Sequence, residues 1–310
     1  MNRTKRSKWL PVIWMVIYLI VLFSIVTPLN FITINLIMIP VLALYMYLDV
    51  KRFALAYAVS LGIFYLLTGG LGLVILFISL FFLPPVILMG HFYKKKALAR
   101  TAILAGTLTL MGELLLGLVV GRLFGFDPVA QFGATIRDYL GALPSNVTQQ
   151  LNMDLVDSMI RYITQMIPFF IVAFSVFYVI VTHGLGRWFI NRGGREDLVP
   201  ALPPVRTWKL PKSLVWYFLI VMILDFTIPA NPDSFLVMIV INLFPLLNLA
   251  FVVQAISFLL YFVHVKKKGK AWPALAIVLM IVVPTTQYIF SLLGLFDVMF
   301  PLREKLADKS

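Results

Sequence analysis

Glu113 is the single charge in the run from Ala102 to Gly121, within the stretch LTLMGELLLG. Asp225, in VMILDFTIPANPD, is the other acid set well inside an apolar run. An ionised acid in hydrocarbon costs on the order of 2.5–3.5 kcal/mol on insertion scales. No Lys or Arg lies deep in any apolar run to offset it. Two chemistries follow for Glu113. Desolvation keeps it protonated and it hydrogen-bonds a neighbouring helix, or it binds a cation or the cationic group of a ligand. Thr101, Ala105, Thr109, Glu113, Gly117 and Gly121 recur every four residues. That row drifts about 40° per step, so neighbours share a face. Its small residues, with G-x-x-x-G, predict close approach by a second helix and a Glu113 that points into a bundle.

Asp225 sits about 7–8 Å of helix from the end of its run, as an interfacial structural acid or as a group that water reaches. Asn242, Asn248 and Gln254 add polar groups to one later run, and PTTQ (Pro284, Thr285, Thr286, Gln287) adds them to the next. Pro284 frees a backbone carbonyl, and a broken helix at membrane depth is tolerated inside protein or beside water. Transporters use such breaks as binding sites. The candidate solute- or ion-binding residues are therefore Glu113, Thr109, Gly117, Asp225, Thr285, Thr286, Gln287 and Asn248. His91, His183 and His264 each end a run just before basic residues. They read as interfacial histidines, with a three-His metal site as the weaker alternative. No catalytic residue is assigned. The chain has no phosphate loop, no H-E-x-x-H and no G-x-S-x-G, and no cofactor is implied. Without cysteine there is no disulfide, thiolate ligand or thiol nucleophile.

The elements that must carry these groups are apolar. Of 310 residues 61% are hydrophobic and 13% charged, and mean hydropathy is +0.98. Soluble domains hold roughly 25% charged residues. The composition is that of an all-α integral membrane protein. Nine runs approach the roughly 20 residues that cross a bilayer, near 9–27, 31–48, 53–68, 71–92, 101–122, 164–186, 213–230, 234–264 and 272–298. The expected fold is a bundle of about nine transmembrane helices, or eight if the last run, split by Pro284, does not cross. Pro245 predicts a kink or tilt in the eighth. The first run is longer than a signal-peptide core and lacks an A-x-A site, so it reads as a retained span.

Twenty of the 26 Lys and Arg residues then fall on one face, which positive-inside bias places in the cytoplasm. With nine crossings the N-terminus is inside and the C-terminus outside. The net charge of +13 reflects this face and its attraction for anionic lipid headgroups, not nucleic acid.

The whole chain, 1–310, reads as one membrane domain with two connections that are more than loops. The outer one, 124–164, begins with Asp127 as a helix cap and Pro128 at the first helical position. Val129, Phe132, Ile136, Tyr139, Leu140 and Leu143 recur at helical spacing, as do Leu151, Leu155, Val156, Met159, Ile160 and Ile163. Two amphipathic helices are expected there, lying on the interface or forming a lid. NVT at 146–148 matches a glycosylation sequon that matters only on a eukaryotic secretory route. The inner connection, 187–212, is stopped by Gly193 and Gly194, kept irregular by Pro200, Pro203, Pro204 and Pro211, and edged by tryptophans.

LPPVRTWKLPKSLVWYF, the later GLFDVMFPLREKL and the nine-run layout resemble the YybS-like family of bacterial membrane proteins. The resemblance spans most of the chain and implies a bacterial inner-membrane location without an activity. LLTGGLGLVILFISLFFLPPVILMGHFYKKK, followed by a glycine-rich run, is similar to the substrate-binding components of energy-coupling-factor vitamin transporters. That resemblance implies about six helices and a vitamin site at the outer side, with no residue matched. A faint internal echo pairs HFYKKKALAR…LFGFD with HVKKKGKAW…LGLFD and sets Glu113 opposite VPTTQ. The leading expectation is transporter-like binding of a small solute or ion near Glu113. The alternatives are a non-catalytic membrane scaffold with a membrane-protein partner and, third, an intramembrane enzyme.

Overall fold

Backbone groups in an apolar chain must satisfy one another, and every regular element among the described residues is helical. The computed structural model describes residues 3–142, 152–193, 198–228, 234–269 and 271–307, with side chains from residue 9 onward except Leu71. The sequon, Leu143, Leu151 and Gly194 lie outside them. The chain divides into two units, 1–126 with 171–202, and 127–170 with 203–310.

The first unit is built around α3 (Met38–Tyr47), whose residues Met38 to Met46 are all buried. A helix apolar on every side has no face to give to solvent, so it takes the centre. Around it lie α1 (Arg3–Ile25), α4 (Val50–Thr68), α5 (Leu73–Phe81) running into α6 (Leu83–Lys94), α7 (Ala99–Leu123) and α10 (Ile167–Arg192). A short helix, α2 (Asn30–Thr33), precedes α3. Asp49 caps α4 by accepting from the Arg52 backbone N–H at 2.9 Å, and that bond holds the Asp49 carboxyl below its ordinary pKa. Arg192 ends α10 as expected, with Gly193 packed so closely on the Tyr47 hydroxyl that a Cβ would lie 2.3 Å from it.

In the second unit Asp127 caps α8 (Pro128–Gly141), accepting from Val129 and Ala130 at 3.0 and 3.1 Å. Asn152 caps α9 (Met153–Gln165) by the same device. Both expected helices of the outer connection therefore form. They pair antiparallel, with Gly133 against Ile160 and Arg137 bonded to Asp157 at 2.8 Å. α11 (Ser213–Thr227) packs on α12 (Phe235–Val265), which stays one α-helix through Pro245. Their core is aromatic, with Phe218 4.9 Å from Phe251 and 5.8 Å from Phe244.

The ninth run differs from expectation. It is two helices, α13 (Ala271–Val282) and α14 (Thr286–Met299), broken at Pro284. Tyr288 stacks near Phe244, Gly294 abuts Phe251, and Asp297 meets Gln254. These pairs rise together in number, so α14 runs parallel to α12. The chain climbs along α13 from the basic turn Lys266–Lys268 and returns along α14 to the level of Tyr261, whose hydroxyl donates to the Arg303 carbonyl at 3.2 Å. The short α15 (Leu302–Ala307) follows there. The split expected at Pro284 is thus a hairpin, whose second arm returns to the level of Tyr261. Among the described residues, six helical stretches are long and apolar enough to cross a membrane: Asn30–Tyr47, Val50–Thr68, Leu73–Lys94, Ala99–Leu123, Ile167–Arg192 and Phe235–Val265. Trp9–Ile25, α11, α13 and α14 are apolar but shorter.

Candidate functional site

α7 buries Ala99, Ala102, Gly106 and Leu110, a face that steps by three and four. Gly106 makes the close helix contact, since a Cβ there would lie 2.7 Å from Met89. The every-four row drifts away from this face. Thr101 and Gly117 are exposed, Gly117 has nothing within 4 Å of a Cβ position, and Thr109 donates to its own turn at Ala105. The small-residue row is therefore not the packing face within this chain. Glu113 sits at the edge of the true face, half-buried, with one carboxylate oxygen buried and without a hydrogen-bond partner.

The PTTQ segment is exposed, or half-buried at Thr286 and Gln287. Thr286 donates to Val283 at 2.7 Å and Gln287 to Met280 at 3.3 Å. These side chains bond carbonyls of the preceding helix at the break that Pro284 makes, so they are committed to the backbone and not to a cavity. Asn248 is buried on α12 with its side-chain oxygen unpartnered. Glu113, Thr109 and Gly117 belong to the first unit, and Asp225, Thr285, Thr286, Gln287 and Asn248 to the second.

His183 is buried and pairs through Nδ1 with the Tyr93 hydroxyl at 2.8 Å, whereas His91 and His264 are exposed. No group of three metal-ligating side chains occurs among the described residues.

Asp225 stands in a cleft of about 400 Å³ between α9, α11 and α12. Ser158, Arg161, Tyr162 and Gln165 line it from the amphipathic helix, and apolar residues such as Leu224 and Ile241 form the opposite wall. Neither Arg161 nor Asp225 is in an ion pair among the described residues. Burial first, then the Asp225 carboxylate, raises the pKa of the Tyr162 phenol, consistent with an acid close by. Asn242 braces this wall. Its amide donates to Gln165 and accepts from Phe169, both at 2.8 Å, holding the turn between α9 and α10.

A second polar constellation was not legible as one. Asp297 is fully buried and takes a two-pronged ion pair from Arg303, with Nε–Oδ1 at 2.9 Å and Nη2–Oδ2 at 2.6 Å. Gln254 donates to the same carboxylate and accepts from the Leu210 backbone at 3.0 Å. Ser257 donates to the carbonyls of Val205 and Trp208 at 2.7 and 2.8 Å, and Arg303 reaches the Arg206 carbonyl at 2.8 Å. Pro301, two residues before Arg303, follows the end of α14 and lets the chain turn back. The sequence signal was Asp and Arg flanking that proline, with Gln254 as the one recognised polar residue. This network joins LPPVRTWKLP to GLFDVMFPLREKL, the two motifs that carried the family resemblance.

The uncharacterized protein YybS of Bacillus subtilis (strain 168) is 27% identical over 257 residues, covering 80% of this chain and 81% of that protein. No solved structure matches the chain. The family model described as a predicted membrane protein (DUF2232) matches residues 12–298, and the chain belongs to that family of multi-pass membrane proteins.

Proposed function

We propose that this protein binds a small zwitterionic or polar solute in the Arg161–Asp225 cleft, as a transport-type, non-catalytic protein of the bacterial inner membrane. The observation that carries this reading is the pair of opposite charges lining one cleft without pairing. A cation and a carboxylate left apart in a half-open apolar site suit a ligand that offers both complements. A cleft of about 400 Å³ falls within the roughly 300–1,000 Å³ of small-molecule sites. Asp225 remains from the expected set, while Glu113 takes the role of a separate, unassigned acid. The test is a thermal-shift screen of the purified protein against amino acids, vitamins and ions, repeated with Asp225→Asn and Arg161→Gln. A stabilising solute should lose its shift in both variants. A shift that survives in both ends this reading.

A scaffold role is favoured by a different observation. An open apolar groove of about 620 Å³ runs past Ile34, Phe77, Phe81, Leu114 and Phe174 beside the bare outer half of α7.

For orientation, we propose that the basic face lies in the cytoplasm. The α13–α14 hairpin adds Arg303 and Lys305 to it, so both terminal regions fall on the inner side. Cysteines replacing Gly269 and Lys305 should then resist an impermeant thiol reagent in intact cells while one replacing Asp138 reacts. Labelling of Lys305→Cys with protection of Gly269→Cys removes the hairpin.

A further inference from the structure

Where α12 ends, the 3-10 turn Val205–Thr207 leaves a groove of about 600 Å³ against the last helical turn. Arg206, His264, Lys267 and Lys268 line it, no acid does, and its floor holds Leu260 and Val263. We propose that this groove binds the phosphodiester headgroup of an anionic phospholipid, with the first part of an acyl chain along Leu260 and Val263. The inference is independent of the solute reading.

Three observations carry it. The helix end would by its dipole repel an anion, but the carbonyls of Phe262, Val263 and His264 already accept backbone N–H groups of the cap. Lys266 bonds Phe262 at 2.9 Å, Lys268 bonds Val263 at 3.0 Å, and Lys267 adopts the left-handed φ of +49° that closes such a cap. The full charges of Arg206, Lys267 and Lys268 then face the groove with no acid in its lining. The backbone that carries Arg206 is fixed in advance, because its carbonyl is held by Arg303 at 2.8 Å and that of Val205 by Ser257 at 2.7 Å. Ordering the backbone of the turn beforehand lowers the entropic cost of binding. The floor is apolar and continuous with a membrane-length helix, which suits a lipid and gives nothing to a free phosphate ion. The matching turn at Lys94–Lys96 has the same cap, with Lys96 at φ +56°. There Lys94 is committed, donating to the Leu48 carbonyl at 2.7 Å and lying 4.2 Å from the Tyr45 ring.

The test is native mass spectrometry of the full chain in neutral detergent, titrated with phosphatidylglycerol, phosphatidylcholine or inorganic phosphate. Wild type should retain phosphatidylglycerol over phosphatidylcholine. The variant Arg206→Gln/Lys267→Gln/Lys268→Gln should lose affinity on the order of 100-fold, at about fivefold per surface charge. The charge-matched Lys95→Gln/Lys96→Gln/Arg100→Gln should change it by no more than about fivefold, one charge's share. Equal loss in both triples overturns the groove in favour of diffuse attraction, and retained affinity in the first overturns it outright. Displacement of the lipid by inorganic phosphate alone would make this a free-anion site and sink the lipid assignment. If the first triple fails to fold, Lys268→Gln, an exposed change, carries the test: about a fivefold loss supports the site, and no loss overturns it.

Discussion

Glu113 and Asp297 are both carboxylates in apolar helices, and their surroundings treat them in opposite ways. Asp297 is fully buried and meets a guanidinium fork and a side-chain amide, so its charge is answered at short range. Glu113 is only half-buried, yet one of its oxygens is shut in without a partner. Burial alone therefore does not mark a functional acid. The informative quantity is the balance between burial and the donors supplied. Asp297 is a structural staple by that measure, and Glu113 is the acid with an oxygen that no donor among the described residues answers.

The largest break in this contrast should come from Arg303→Gln, which leaves Asp297 buried and uncompensated. Stripping one partner from a buried pair costs about 3–5 kcal/mol, read as loss of the folded fraction in a detergent melt. Replacing both, Asp297→Leu with Arg303→Met, should recover much of that loss. Equal damage from single and double variants would show that the pair is not the source. Gly294→Ala should come next. Its Cβ would lie 2.0 Å from the Phe251 carbonyl oxygen, a backbone atom that cannot swing aside. Forcing α14 off α12 should cost about 1–3 kcal/mol, and an unchanged melt would contradict the close helix approach. The smallest effects belong to Glu113. Glu113→Gln and Glu113→Leu should each shift stability by less than about 1 kcal/mol, because no hydrogen bond is lost and an unpaired buried oxygen is relieved. A loss of 1–2 kcal/mol on Leu would instead restore Glu113 as packing glue. Loss of complementation by a stable Gln variant would give it a function.

Much of the helical layout was legible because hydrophobic run length and capping chemistry are local. Asp127 with Pro128 announced α8, and Gly193 stopped α10. Pro284 announced a break, but whether a broken run continues or returns depends on what α14 packs against, and that partner lies some forty residues back along the chain. The small-residue row through Glu113 misled for a related reason. An every-four repeat drifts around a helix, so the face that packs was the neighbouring one through Gly106. The cleft at Asp225 required the amphipathic α9 to bring Arg161 beside it, a tertiary fact with no sequence spacing. The Asp297 network escaped because Arg303 lies beyond Pro301 and meets Asp297 only once the chain has turned there.

The position of Arg303 also imposes an order of events on biosynthesis. Gln254 is made well before Asp297 and Arg303, since chains emerge N-terminal end first. Until Arg303 follows, the Arg206 carbonyl lacks the guanidinium that holds it. The contacts that Arg303 makes therefore form only after the helices they join have been synthesised. A released chain lacking Arg303 would leave Asp297 without its counter-charge, the kind of defect that membrane quality-control proteases act upon.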